Sequence, residues 1–455
     1  MPLPERLYEA ALSVARPAFG VAAVFNQKLR RGVEGRRETT RRFQEWARTS
    51  RSPDRPLVWV HAPSVGEGLM AQAIIRELRA RRPAFQVAFT CFSPSAERMA
   101  DQVGADVWGY VPWDTRGAVR PVLEALRPAA LVFVRTEVWP VLAREAAGSR
   151  TRLLLVNAVL SEGSGRLSRP ARGFMSQVYR RLDAVGAVSQ AHADRYRRLG
   201  VSPELIRVTS DARFDQVWAR IEERGLFQLR GTADAATRVP EPLRPIWSAL
   251  DDPEVFTLVA GSTWPADENV LLPALAALRG DHRVRLIIAP HEPTPRHLDA
   301  LERRLDDLAL GHARLGSLTA GEARGHGAAP DAPEVVVVDR VGVLADLYAL
   351  GRAAYVGGGF GRSGLHSVVE PAALGVPVLF GPAHGNAREA GDLAARGGGF
   401  VVTSSSDMES RLRSWLAEPA APAAAGAVAR DFVRSETGGA ARNAQLIVEI
   451  MEAPG

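Results

Sequence analysis

Two carboxylates stand just beyond short apolar runs in the first half of the chain. Val58-Trp59-Val60-His61 leads into Ala62-Pro63-Ser64-Val65-Gly66-Glu67, and Leu131-Val132-Phe133-Val134 leads into Arg135-Thr136-Glu137-Val138-Trp139-Pro140. A carboxylate beyond a strand end can take a proton from a hydroxyl, an effect typically worth about 10²–10⁴ in rate. Glu67 at a helix start is equally a partner for the helix dipole, worth about 0.3–1 kcal/mol. Ser64 and Gly66 shape the turn, Gly66 by permitting tight backbone. Glu137 has several roles open to it: pairing with Arg135, capping a helix, binding an acceptor, or orienting the surroundings of Glu67. Pro140 suits the first turn of a helix.

A third constellation lies in the second half. Tyr355-Val356 runs into Gly357-Gly358-Gly359-Phe360-Gly361-Arg362-Ser363-Gly364-Leu365-His366-Ser367-Val368-Val369-Glu370-Pro371. A strand entering a glycine-rich loop that opens a helix brings backbone amides and a helix dipole to a phosphate. The pattern predicts a helix from about His366, with Glu370 one turn inside it and placed to accept hydrogen bonds from a ribose. The spacing is not that of the dinucleotide motif Gly-x-Gly-x-x-Gly with its later acidic residue. Three further turns follow strand-like runs: Gly261-Ser262-Thr263, Pro290-His291-Glu292-Pro293, and Phe380-Gly381-Pro382 leading to Asn386 and Glu389. Each reads either as a ligand loop or as an ordinary capping turn.

Composition narrows the chemistry. The chain has 455 residues, 46% hydrophobic and 24% charged, with a formal net charge of +6. That length suits two domains and that composition a globular protein. Lys28 is the single lysine, so a Walker lysine, a Schiff base and a lysine general base are excluded by its position outside any such motif. The lone Cys91 rules out an internal disulfide and a cysteine metal cluster. The histidines show no metal-ligand spacing and no Asp-x-Asp pair is present, which favours chemistry without a metal or other cofactor. Arginine excess without an aromatic-interleaved patch argues against a nucleic-acid partner.

The elements that must position these residues read as an α/β chain. Strand-like runs at 57–61, 86–90, 106–111, 129–134, 152–157, 184–188 and 206–209 alternate with amphipathic segments. A second series occupies 254–260, 284–289, 334–338, 353–356, 376–380 and 400–403. Short runs buried on both faces imply two doubly wound parallel sheets, Rossmann-like, facing a cleft. The expected boundaries are an apolar and basic segment at 1–50, a first domain at 51–218, a linker at 219–252 and a second domain at 253–435. A last helix at 436–455 can return to the first domain. Residues 312–333 read as a surface loop and 419–429 as an Ala/Pro turn. In the first segment an apolar stretch at 7–25, broken by Glu9, Arg16 and Pro17, precedes Lys28, Arg30, Arg31, Arg36, Arg37, Arg41 and Arg42. It is a poor transmembrane span and reads as a monotopic anchor on an anionic membrane surface, or as a packing helix with a solvated face.

Together these loops resemble the Kdo transferases, glycosyltransferases that move 3-deoxy-D-manno-octulosonic acid (Kdo) from CMP-Kdo to a lipid A precursor. The resemblance runs from about residue 57 to 393. It rests on His61 to Glu67, Glu137-Val138-Trp139-Pro140, Val156-Asn157-Ala158-Val159-Leu160-Ser161, and the Gly-Ser-Thr and Gly-Pro turns. Gly364-Leu365-His366-Ser367 and Ser210-Asp211-Ala212-Arg213-Phe214-Asp215 are variants of its other motifs. It implies a GT-B fold and Glu67 as catalytic base with Glu137 nearby. It implies CMP held by Gly364, His366, Ser367 and Glu370, with Ser262, Thr263, His291, Asn386 and Glu389 also on the donor side. Ser64, Gly66 and Arg213 fall to the acceptor side or its loops. CMP-Kdo, a lipid A precursor and the cytoplasmic face of the inner membrane are the implied partners, without metal or cofactor. A UDP-sugar enzyme of the same architecture, or a membrane-associated nucleotide-binding protein without turnover, are the alternatives.

Overall fold

The computed structural model describes residues 3–228, 239, 241–278, 283–320 and 333–453. The chain divides into two compact units, one formed by Met1–Gln216 with Glu436–Gly455, the other by Val217–Ser435. Each contains a seven-stranded, wholly parallel sheet.

The first sheet comprises β1 (Leu57–His61), β2 (Gln86–Cys91), β3 (Val107–Tyr110), β4 (Ala130–Val134), β5 (Arg152–Ala158), β6 (Ala184–Ala187) and β7 (Ile206–Val208), in the order β3-β2-β1-β4-β5-β6-β7. Every residue of β1, β2 and β4 is buried, as a sheet covered by helices on both faces requires. One face packs under the helices Val65–Arg81 and Gly439–Glu452, the other under Arg116–Leu126, Pro140–Gly148 and part of Gln27–Thr49. The second sheet comprises β8 (Phe256–Thr263), β9 (Val284–Pro290), β10 (His312–Arg314), β11 (Val335–Val337), β12 (Ala353–Val356), β13 (Val378–Phe380) and β14 (Gly399–Val401), in the order β10-β11-β9-β8-β12-β13-β14. Each sheet has a switch point beside its first strand, between β1 and β4 in the first and between β8 and β12 in the second, and at the far edge of the second sheet β11 lies between β9 and β10. Two Rossmann-like parallel sheets of this kind make the chain GT-B in fold.

Four local expectations differ from the structure. Strand β10 and the helix Leu315–Ala320 occupy the start of the predicted loop at 312–333. Three half-buried residues, His-Ala-Arg, at a sheet edge carry no β-rich signal. The remaining loop residues 321–332 lie outside the described residues. The helix Ala420–Glu436 begins inside the predicted Ala/Pro turn, because alanine has the highest helix propensity and Pro422 sits in the first turn, where its missing N–H costs nothing. The expected linker at 219–252 holds the end of the helix Ala212–Glu223 and the helix Arg244–Leu250. The helix after the glycine loop is Val369–Ala373, so it starts three residues later than predicted and Glu370 stands in its first turn. The carbonyl of Gly357 holds the His366 N–H at 3.1 Å, which keeps that stretch outside the helix.

The C-terminal helix Gly439–Glu452 is built into the first unit by polar contacts. Asp215 accepts from the N–H groups of Gly438 at 2.7 Å and Ala440 at 3.0 Å, satisfying donors a helix start leaves open. Asn443, fully buried, accepts from the Asn157 N–H and the Thr209 hydroxyl, both at 3.0 Å, and donates to the Gly439 carbonyl at 2.8 Å. A Cβ on Gly186 would lie 2.5 Å from the Asn443 oxygen, so glycine is required there. Asn443→Ala strands two buried donors, each at about 1–3 kcal/mol. The variant should lose about 2–4 kcal/mol of stability, read as a lower melting temperature of the first unit, and an unchanged melting temperature would refute this account.

Candidate active site

At the switch point of the first sheet, the loops after β1 and β4 leave neighbouring strand ends. Ser64 caps the helix Val65–Arg81, and its hydroxyl accepts from the Glu67 N–H at 3.5 Å. In return Glu67 Oε2 accepts from the Ser64 N–H at 3.1 Å and from the Ser64 hydroxyl at 2.6 Å. This reciprocal capping box holds a half-buried carboxylate through one oxygen, and Oε1 takes neither of these bonds. Glu137, half-buried in the loop after β4, has its pKa raised, first by burial and then by the negative charge of Glu67, with Arg166 opposing. The two carboxylates therefore feel each other.

His61 joins the two loops. It is fully buried, its Nδ1 lies 3.1 Å from the Thr90 carbonyl, and its Nε2 accepts from Trp139 Nε1 at 3.0 Å. Burial drives its pKa down to about 3, so the ring is neutral, with the proton on Nδ1 and Nε2 left as acceptor. Neither His61 nor Trp139 was singled out from sequence as a fastener, because a buried histidine is legible only once β1 and β4 are known to be neighbours. Arg213 reaches the loop after β4 through Asp211, which Arg135 also faces at 4.0 Å. The Arg213 Nε donates to buried Asp211 at 2.8 Å, within a cluster that Asn157 also joins.

In the second unit the loops after β8, β9 and β12 gather at its switch point. Ser262, at φ 55°, sits on a bulge at the end of β8 and is half-exposed. His291 meets two rings at a tilt, 4.3 Å from His366 and 4.8 Å from Trp264 between centroids. Trp264 Nε1 donates to His366 Nε2 at 3.4 Å. The pKa of His366 is lowered, first by burial and then by His291, while Asp267 opposes. Gly364 and Ser367 flank this group, and Ser367 Oγ accepts from the Val369 N–H at 3.4 Å. Glu370 is paired with Arg220 Nη2 at 3.1 Å.

Three of the residues expected on the donor side are engaged within the protein. Thr263 is fully buried and its hydroxyl donates to Glu268 at 3.3 Å. Asn386 clamps the glycine loop, accepting from the Leu365 N–H and donating to the Leu365 carbonyl, both at 2.9 Å. Glu389 is buried in the helix Arg388–Arg396. The glycines serve packing as well: a Cβ on Gly358 (φ 97°) would lie 2.1 Å from the Gly364 carbonyl oxygen, and one on Gly359 would lie 2.6 Å from the Gly381 nitrogen. Asp267, which the sequence reading missed, organises the loop. Fully buried, it accepts from the Tyr355 hydroxyl at 2.7 Å and from the Gly358 and Trp264 N–H groups at 2.9 Å. Its position three residues after Trp264, the residue preceding the helix Pro265–Ala277, was the available signal. Among the described residues no group of three or more His, Cys, Asp and Glu side chains is placed to hold a metal ion.

Residues 37–216 match the model of the family described as 3-deoxy-D-manno-octulosonic-acid transferase (kdotransferase). The 3-deoxy-D-manno-octulosonic acid transferase of Chlamydophila psittaci is 27% identical over 347 residues, 75% of this chain and 72% of that one. Over those stretches the chain is similar to the Kdo transferases. Among solved structures, a glycosyltransferase from Rickettsia africae superposes with a TM-score of 0.61 at 9% identity, covering 88% of this chain and all of that one. UDP-GlcNAc 2-epimerase from Neisseria meningitidis gives 0.60 at 13% identity, covering 87% and 99%. At those identities the structures speak for the fold alone.

Asp267→Asn replaces one acceptor oxygen by a donor that faces N–H or O–H. The substitution should destabilise the second unit by about 2–4 kcal/mol and speed hydrogen exchange at the Gly358 amide. Wild-type exchange at Gly358 in the variant would remove Asp267 from this role.

Proposed function

We propose that the chain transfers Kdo from CMP-Kdo to a hydroxyl of a lipid A precursor, by single displacement and without a metal. The observation that carries this reading is the pair of carboxylates, Glu67 and Glu137, held on adjacent loops by the His61–Trp139 bond within the family's own motifs. Glu67 takes the acceptor proton on its carboxylate, and the freed oxygen attacks the anomeric carbon of Kdo. As that C–O bond forms, the bond from the anomeric carbon to the phosphate oxygen breaks, and CMP leaves with the electron pair. Glu137 stands beside the base with its own pKa raised by burial and by the Glu67 charge.

The second unit offers the donor site. The ring cluster Trp264–His291–His366 and the backbone of the loop around Gly364 and Ser367 receive the nucleotide phosphate, whose charge grows as CMP departs. Glu370 receives the ribose hydroxyls in exchange for part of its pairing with Arg220. The helix Leu3–Phe25 supports work at the inner face of the inner membrane. Leu7, Val14, Val21, Val24 and Phe25 are exposed on it, and by length and composition Pro4–Phe25 is apolar enough to cross a membrane. Its buried Glu5 is paired with Arg144 at 3.3 Å and with Arg181, which fastens its start to the protein and suits attachment along the surface.

Purified protein incubated with CMP-Kdo and a tetraacylated lipid A precursor should yield Kdo-bearing lipid by mass spectrometry. Protection against thermal unfolding by UDP and not CMP would instead favour a UDP-sugar enzyme. Glutamine serves in a capping box as well as glutamate does, so Glu67→Gln should keep its melting temperature while losing about 10²–10⁴ in kcat/KM. Unchanged transfer by that variant would sink the assignment of the base. A neighbouring negative charge raises a carboxyl pKa, so Glu67→Gln, which removes that charge, should lower the pKa of Glu137. Carboxyl titration of Glu137 by NMR reads the change, and an unmoved or higher pKa in the variant would contradict the coupling.

A further inference from the structure

Between the carboxylate loops and the N-terminal helix runs a file of aromatic rings. Phe92, just past β2, stacks on Trp139 at 5.6 Å between centroids. Its backbone N–H donates to the Pro63 carbonyl at 3.1 Å, which sets it against the turn that carries Ser64 and Glu67. Beyond it the Arg36 guanidinium lies 4.4 Å from the Phe92 ring and 5.1 Å from the Trp113 ring. Trp113 in turn meets Phe19 of the helix Leu3–Phe25 at 5.5 Å. Arg36 is itself buried and spends its donors on the Gly32 carbonyl at 2.8 Å and the Phe92 carbonyl at 3.1 Å. It acts as a spacer that aligns the rings by cation–π contact.

The file is open to solvent at both ends. Phe92 is 42% exposed, Phe19 41%, and Val65, next to the cap of Glu67, 38%. Apolar side chains exposed at both ends of a file of packed rings, one beside a reactive loop and one on an apolar helix, mark a binding surface. We propose that this aromatic file is the track for an acyl chain of the acceptor lipid, leading from the exposed face of the N-terminal helix to the hydroxyl that Glu67 deprotonates. The occupant is an acyl chain because the file is continuous with the carboxylate site at one end and with the apolar helix face at the other. Its one cation is already bound within the protein. The inference rests on the transferase reading, since it takes the acceptor to be a lipid.

The test compares two acceptors, the tetraacylated lipid A precursor in mixed micelles and its deacylated disaccharide. Phe19→Ser, which touches Trp113 and not the carboxylate loops, and Phe92→Ser are assayed with both, and Phe92→Leu serves as the apolar rescue. Both serine variants should raise KM for the acylated acceptor about ten-fold, equivalent to about 1.4 kcal/mol. They should leave kcat/KM for the deacylated acceptor within about two-fold, and Phe92→Leu should restore most of the loss. Equal losses on both acceptors would mean the rings only pack the loops and would overturn the inference, as would no loss on either. If the unsubstituted chain transfers Kdo to neither acceptor, the transferase reading fails on its own. Equilibrium binding of the acylated acceptor then decides the track: weakening by both serine variants upholds it, and unchanged binding overturns it.

Discussion

A parallel sheet that winds outward in both directions from its first strand must have one place where the chain cannot cover its own strand ends. The connections after the two strands at that place leave toward opposite faces. In this chain the constraint operates twice. In the first sheet it exposes the ends of β1 and β4, and in the second the ends of β8 and β12. The polar residues that could do chemistry lie at those ends, and the rest of each unit is organised to hold the exposed loops still. Glu67 follows β1 and Glu137 follows β4. Ser262 follows β8, and Gly364 and His366 follow β12.

Holding such loops is a task for buried polar groups, which are costly unless every donor and acceptor finds a partner. Each switch point has one. In the first unit, His61 is pressed into the neutral state by burial, and that neutrality is what lets it bridge. A protonated ring would set an N–H against the N–H of Trp139, whereas the neutral ring accepts there and donates toward β2. In the second unit, Asp267 gathers a tyrosine hydroxyl from β12 and two backbone N–H groups, one from the glycine loop and one from the turn after β8. One group is a base kept uncharged and the other a carboxyl facing three donors, yet both tie the two loops that the sheet leaves apart. Asn443 does comparable work lower in the first unit, joining the last helix to β5 and to the segment after β7.

Much of this was legible in the sequence because strands buried on both faces write themselves as apolar runs. The runs at 57–61 and 353–356 coincide with β1 and β12, and most others differ by a residue or two. Failures came where side-chain pattern does not govern. β10 is three residues at an edge, the Ala/Pro stretch is helical by propensity and not by amphipathic period, and the turn after Gly364 is held out of the helix by a backbone bond from His366. At the site, polar residues after strands were visible, but their division of labour was not. Thr263 and Asn386 look like ligand residues by position and are committed to Glu268 and to the Leu365 backbone. Trp264 and Asp267 carried no motif and were missed, since their importance appears only when β8 and β12 lie side by side.

Glu67 shows why the structural and chemical readings of a residue need not compete. From sequence it was either a cap for a helix or a base, and in the structure it is a cap in full, with Oε2 taking both bonds from Ser64. A general base must be held at a fixed place without losing its affinity for a proton. A strong ion pair would fix it but suppress its basicity, because a neighbouring cation favours the charged form. A capping box fixes the side chain with neutral donors on one oxygen and leaves the other oxygen outside those bonds. The cap is therefore a kind of positioning that the proposed base could use, which is why the same four-residue turn can be read both ways.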